Sequence, residues 1–171
     1  SLKYASNLAA FVPDKSIQKA FCIGAASGKL MLDEALSSGL EVSKQVLKEI
    51  GLKESYTKTP NSTLEKYSIE PLWQVGVSEK FGKSFLDIQN DVTSDDVDLA
   101  ILEGYSNVEH VKRYTTGGMG IDQGKTGNIN IIGKIALSQG LNLEEVGTTT
   151  FRSPFSPISF GSIGGLREGS V

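Results

Sequence analysis

A single cysteine and a single histidine in 171 residues set the first limits on what this chain can do. Cys22 alone cannot close an internal disulfide, hold an iron–sulfur cluster or complete a structural zinc site. His110 alone excludes any site that needs two imidazoles. Basic residues are also too few for a nucleic-acid or membrane-surface binder. The 17 Lys and Arg face 20 Asp and Glu, giving a net charge of −3 and a pI of about 5.2. No run approaches the roughly 20 apolar residues of a membrane span, and no secretory apolar segment opens the chain. A soluble, cytoplasmic chain is therefore expected. With 39% hydrophobic and 22% charged residues, the composition excludes a disordered tail, a coiled-coil rod and a collagen-like repeat. A chain of this length buries roughly 70% of the surface its unfolded form exposes and needs no disulfide staple. It opens without methionine and closes on the Gly-rich residues 161–171, which reads as a piece of a longer protein.

What is present is punctuation for short elements. Phe21-Cys22-Ile23 is an apolar run, predicted as a strand with Cys22 as a small buried hydrophobe. It runs into Gly24-Ala25-Ala26-Ser27-Gly28 and then a helical spacing of Leu32, Ala35, Leu36, Val42, Val46, Leu47 and Ile50, stopped by Gly51. Strand, tight glycine turn and helix form a βα unit whose helix N-terminus can face a phosphate. Gly39 inside the helix costs about 1 kcal/mol relative to Ala, so the helix is either pinched against a neighbour or split in two. Residues 52–83, with Pro60-Asn61-Ser62 and Pro71, read as a polar arm, with short strands expected at 71–77 and 85–88.

Thr93-Ser94-Asp95-Asp96 and Ser106-Asn107-Val108-Glu109 both read as capping boxes. They predict helices near 94–103 and 107–114, separated by a stop at Gly104. A third helix is predicted over 127–139 with Ile129, Ile132 and Ala136 inward and Gly140 closing it. A short fourth, capped by Asn142, covers 143–146.

Between the second and third of these lies Gly117-Gly118-Met119-Gly120-Ile121-Asp122-Gln123-Gly124-Lys125-Thr126. A nucleotide phosphate loop would place glycine six residues before Lys125, where Met119 stands, so that motif fails. Two readings stay open. The loop presents backbone N–H groups and a cation to an anion, with Thr116, Lys125 and Thr126 nearby, or its glycines only permit tight turns. A helix N-terminus supplies about 0.3–1 kcal/mol whereas a nanomolar ligand needs roughly 12, so the loop is at most one wall of a site. The acidic stretch 87–103 is no calcium loop, because Asp96 and Leu102 stand where glycine and glutamate are required from Asp91. His110 reads as a packed or solvent-facing helix residue. No nucleophile–base pair or carboxylate pair is discernible, so no catalytic centre is expected in this chain itself.

Residues 90–93, 103–116, Gly118-Met119 and Asp122-Gln123-Gly124-Lys125-Thr126, continued by Glu145-Val146-Gly147-Thr148-Thr149-Thr150-Phe151-Arg152 and Pro154-Phe155-Ser156-Pro157, strongly resemble the alpha-subunit family of heterotetrameric sarcosine oxidases. Phe11-Val12-Pro13 and Gly24-Ala25-Ala26-Ser27-Gly28 resemble the end of that family's nucleotide-binding domain. The resemblance implies an α+β fold: a strand–helix remnant of a Rossmann-type domain over 1–52, a linking arm over 53–83, a small helical domain over 84–150 and the start of a connection to a folate-binding domain over 151–171. The helical part resembles the bacterioferritin-associated-ferredoxin-like domains of related amino-acid dehydrogenases. There cysteines hold an iron–sulfur cluster; here Gln89, Asp91 and Asp122 stand in that region.

The resemblance further implies an oxidoreductase holoenzyme that demethylates sarcosine to glycine, forms peroxide and passes the one-carbon unit to tetrahydrofolate. It implies NAD on the side of Gly24, Ala25 and Ala26, where Ala25 replaces the aspartate that would bond FAD. FAD and FMN belong to the flavin-bearing beta subunit, and Thr115, Thr116, Gly118, Gln123, Gly124, Lys125 and Thr126 are expected on the FMN interface. The chain alone is then non-catalytic, binds no cofactor tightly, and dimerises if its apolar helix face stays uncovered. The alternatives are a purely structural interaction module, or a subunit of a related flavin-dependent amine dehydrogenase.

Overall fold

The computed structural model describes residues 1–53, 68–76, 82–153 and 158–165. Within it the chain divides into two compact units, Ser1–Pro71 and Leu72–Val171, of mixed helix and small sheet. Most of the expected arm, 54–67 and 77–81, and the Pro154 to Pro157 motif lie outside the described residues.

The first unit opens on an unanticipated hairpin. β1 (Leu2–Ala5) pairs antiparallel with β2 (Ala10–Pro13), joining Leu2 to Pro13 and Tyr4 to Phe11 in register. The Tyr4 and Phe11 rings lie 5.4 Å apart, a cross-strand aromatic pair of the kind that stabilises an isolated ribbon. The connection is a 3-10 turn, Ser6–Leu8, closed by Ala9 in the left-handed region. No Asn-Gly or Gly-Gly signal marks it.

Residues 21–23 form no strand, contrary to expectation, and Cys22 is exposed with Phe21 and Ile23 beside it. A parallel strand exists only through a neighbour's ladder, and no described strand lies alongside. The next segment, Gly24–Ser27, is a 3-10 turn that ends at Gly28 with φ 81°. A Cβ at Gly28 would sit 2.5 Å from Leu8 Cδ1 and 3.2 Å from Val12 Cγ1, so glycine is what lets the turn meet the hairpin.

α1 (Leu32–Glu49) is one unbroken helix through Gly39, whose vacant side faces Ile23 at ordinary contact distance. It ends as the sequence indicated. Gly51 adopts φ 75°, and the N–H groups of Gly51 and Leu52 donate to the carbonyls of Lys48 and Leu47. No residue of α1 is buried; Leu32, Leu36, Val46 and Ile50 remain between 37% and 60% exposed. Among the described residues of this unit, one hairpin and one short turn are too little to cover an 18-residue amphipathic helix.

The second unit holds the better core. β3 (Phe85–Asp87) and β4 (Val92–Thr93) form a bulged antiparallel ribbon, turned at Asp91 with φ 54°. The other expected strand does not form, since 71–76 is irregular and 77 lies outside the described residues. α2 (Ser94–Leu102) begins with the capping box read from the sequence: Thr93 Oγ1 accepts from the Asp96 N–H, and Asp96 accepts from the Thr93 N–H. α3 (Val108–Thr115) is capped one residue later than expected, by Asn107 rather than Ser106. Glu109 is engaged elsewhere, by the Thr150 N–H and by Arg113.

α4 (Asn128–Gln139) is the central element, packing against α2, β3 and α5 (Leu143–Val146). Its most buried residues are Ile131, Ile132, Ile135 and Ala136, joined by Val97, Ala100, Val108 and Val111. Ile129, expected inward, is only half-buried. Burying each Val or Ile stabilises by roughly 1.5–3 kcal/mol, so this cluster fixes the unit.

Two further features hold α4. The Trp73 ring covers Gly133, where a Cβ would lie 2.3 Å from Cδ2. Lys134, 4% exposed, gives its ammonium to Asp98 Oδ2 at 2.7 Å and to Gln74 Oε1 at 2.8 Å. A last short helix, α6 (Phe160–Gly164), is fully exposed.

Candidate functional site

Gly24, Ala25 and Ala26 belong to the first unit. The Gly24 N–H donates to Ser38 Oγ of α1 at 3.1 Å, and its carbonyl accepts from Ser27 Oγ and the Lys29 N–H. Gly24 adopts φ 59°, a conformation that favours glycine. Ala25 and Ala26 are exposed small residues on this turn, and Ala25 brings no carboxylate to it.

The 115–126 loop in the second unit is built from the end of α3 to the start of α4. α3 stops because Thr116 takes φ 64°, while Thr115 Oγ1 donates to the Val111 carbonyl and accepts from the Gly117 N–H. Asn90 Nδ2 holds the Thr116 carbonyl at 3.0 Å. The Gly118 N–H donates to the buried Asp87 Oδ2 at 2.7 Å, and Asp87 Oδ1 accepts from the Gln89 N–H. Farther on, Asp122 Oδ1 accepts from the Gly124 N–H, while Oδ2 takes both the N–H and the hydroxyl of Thr126. The Thr126 hydroxyl, then the Gly124 N–H, hold the Asp122 carboxyl below its ordinary 3.8.

Asn128, 9% exposed, sits in the fold of this loop. A Cβ at Gly118 or at Gly124 would come 2.1 Å from its Oδ1, so both glycines are required by close approach as well as by positive φ. Asn128 Nδ2 donates to Thr149 Oγ1 at 2.6 Å and thereby ties the loop to residues after α5. Gln123, at φ 52°, donates from Nε2 to the Gly120 carbonyl and accepts the Arg152 N–H.

The N–H groups at 118, 124 and 126 are thus taken by the chain's own carboxylates. What the loop leaves to solvent is Thr116, Met119, Ile121, Lys125 and Thr126. Next to it Lys112, Arg113, Met119, Gln123 and Arg152 line a cavity of 280 Å³. Lys112 is buried and donates to the Thr150 carbonyl at 3.0 Å. Burial alone would raise the Glu109 carboxyl. The Thr150 N–H, the Arg113 side chain and the Lys112 charge together hold it below its ordinary 4.5.

The sequence did not point to Asp87, Asn128 or this cavity. Asp87 sits in a strand of three residues and acts on a glycine 31 residues away, and the cavity joins residues about 40 apart. A carboxylate in the middle of Phe85-Leu86-Asp87-Ile88 was the one available signal, since a charge in an apolar run needs a partner. His110 is an exposed residue of α3. Among the described residues no group of three His, Cys, Asp or Glu side chains is placed to hold a metal ion, and no helix is long and apolar enough to cross a membrane.

The sarcosine oxidase A3 domain family matches residues 81–166, which include the whole of the loop and the cavity. Along nearly the full chain, the sarcosine oxidase subunit alpha of Rhizobium meliloti (strain 1021) is 39% identical over 174 residues, covering 97% of this chain and 17% of that protein. The sarcosine oxidase alpha subunits of Corynebacterium sp. strains P-1 and U-96 are 33% and 34% identical, each covering 99% of this chain and 18% of the relative. The chain therefore spans less than a fifth of the length of the curated relatives it matches. A domain match over half of its residues, together with alpha-subunit relatives aligned along its length, shows that the chain belongs to the sarcosine oxidase alpha-subunit family.

Proposed function

We propose that the chain is part of an oxidoreductase alpha subunit that works with other subunits, chiefly a flavin-bearing beta subunit, in the oxidative demethylation of sarcosine. In this reading the holoenzyme releases glycine, forms peroxide and transfers the one-carbon unit to tetrahydrofolate held elsewhere in the subunit. The names of the relatives, each a sarcosine oxidase alpha subunit, support the enzyme and its subunit character. The turn of Gly24, Ala25 and Ala26 stands on the NAD side, where small exposed residues allow close approach of a cofactor.

The 115–126 loop is the proposed wall on the FMN side. The carrying observation is its internal bracing: Asp87 and Asp122 take the N–H groups at 118, 124 and 126 and Asn128 ties the root of the loop to Thr149, so the exposed Thr116, Lys125 and Thr126 are offered on a pre-formed surface. Pre-organisation of this kind lowers the ordering cost of an interface. The flavin, when bound, would supply the electron acceptor that reduces oxygen. This chain's residues would only bind and orient it.

The same bracing also favours a second reading, a structural junction between neighbouring domains, because the N–H groups at 118, 124 and 126 are already occupied. The two readings differ at Lys125. In the assembled enzyme, Lys125→Ala should alter flavin absorbance and reoxidation if the loop faces the flavin. Unchanged flavin behaviour with unchanged subunit assembly would leave only the structural junction.

A further inference from the structure

The cavity beside the loop carries an excess of one charge that the fold does not explain. Lys112, Arg113 and Arg152 all line it, and the carboxylate paired with any of them among the described residues is Glu109, bound to Arg113 at 2.8 Å. Lys112 and Arg113 lie in the last turn of α3, where cations suit the helix dipole. That accounts for neither Arg152, which comes from the segment after α5, nor the burial of Lys112. The Lys112 ammonium has three donors, of which one meets the Thr150 carbonyl. No described residue partners the Arg152 guanidinium. Burying a cation is costly unless an anion compensates it, and Glu109 is shared between Arg113 and the Thr150 N–H.

From this arrangement we propose that the cavity formed by Lys112, Arg113, Gln123 and Arg152 is a binding site for a phosphate dianion. Three cations against one carboxylate leave two positive charges, which match a dianion better than a single carboxylate. The planar forks of Arg113 and Arg152 suit phosphate oxygens. Met119 adds an apolar flank for whatever carries the phosphate. Ligand clefts run about 300–1,000 Å³, so 280 Å³ accepts a headgroup with its immediate linker rather than a whole dinucleotide. The inference deepens the flavin-facing reading and rests on it for the identity of the phosphate's carrier, but not for the site itself.

The test is calorimetric titration of the full-length alpha subunit at low salt, with inorganic phosphate, then with flavin mononucleotide and riboflavin as separate probes. Phosphate should bind, and Arg152→Gln should weaken it by about tenfold or more, the worth of a charged hydrogen bond. Arg113→Gln should do likewise, with the circular-dichroism melt preserved in either exposed-residue variant. Binding should also fall steeply with added salt. If the wild-type chain takes up no phosphate at low salt, or if Arg152→Gln binds it equally well, the site is wrong. Should phosphate bind while flavin mononucleotide gains nothing over it, the site stands and the flavin reading of the loop fails.

Discussion

The Asp87 carboxylate reaches across 31 residues to accept the Gly118 N–H at 2.7 Å, and this bond seats the glycine loop on the β3–β4 ribbon. Both groups are buried, so neither has water as a substitute partner. Asp87→Ala would leave the Gly118 N–H and the Gln89 N–H without their acceptor. The expected loss is about 1–3 kcal/mol, read as a lower melting temperature, with faster amide exchange at Gly118. Asp87→Asn should recover part of it, since one oxygen is retained. Equal melting of Asp87→Ala and wild type would contradict this role.

Gly124 and Gly104 both have positive φ, yet their surroundings differ. A methyl at Gly104 meets open space, whereas at Gly124 it collides with the Asn128 amide. Gly104→Ala should cost about 1–2 kcal/mol from backbone conformation alone. Gly124→Ala should cost clearly more, because Asn128 must also leave Thr149. Chemical denaturation of the two variants side by side decides it.

Trp73 is the chain's one tryptophan, so its emission reports its seat over Gly133 directly. Alanine at 133 would improve helix propensity by about 1 kcal/mol, but its methyl occupies the indole's place. Gly133→Ala should red-shift the emission as the ring moves toward water. An unshifted spectrum would mean that the ring does not cover this glycine in solution.

Acid should weaken the start of α2. The Thr93 side chain, then the Thr93 N–H, hold the Asp96 carboxyl below its ordinary 3.8. A depressed folded-state value means stability that is present above 3.8 and lost as pH falls through the lower, folded value. Asp96→Asn should therefore show a flatter acid limb below about pH 4 in a plot of melting temperature against pH. An unchanged limb would remove Asp96 from the account.

Asp98 partners the buried Lys134 and also accepts from Ser138 Oγ at 2.9 Å. Asp98→Ala leaves a buried ammonium with only the neutral Gln74 amide as partner, for a loss of about 1–2 kcal/mol; the half-exposed carboxylate keeps this below a fully buried pair. Lys134→Met, which removes the charge and keeps the stem, should cost less. The reverse order of melting temperatures would count against the pair.

Legibility followed the range of the interaction. The Thr93–Asp96 capping box and the stops at Gly51, Gly104 and Gly140 were readable because each is settled within four or five residues. The second cap slipped from Ser106 to Asn107 once Glu109 was drawn to Thr150, a partner 41 residues away. The strand at 21–23 and the burial of Cys22 depended on neighbours that local pattern does not supply, and neither appears. In the candidate site, the glycine loop stood out by composition. Its braces did not, because Asp87 and Arg152 meet the loop, and Thr149 meets Asn128, only through the tertiary fold.

Asn128 lies at the root of α4, pressed between two backbone bends and latched to Thr149. Any pull on residues 149–152, such as the docking of whatever follows them, is transmitted through that amide to the loop, with Gln123 and Arg152 as a second strap. Loop and trailing segment are therefore fastened to each other at two points beside the helix, and displacing one strains the bonds that hold the other.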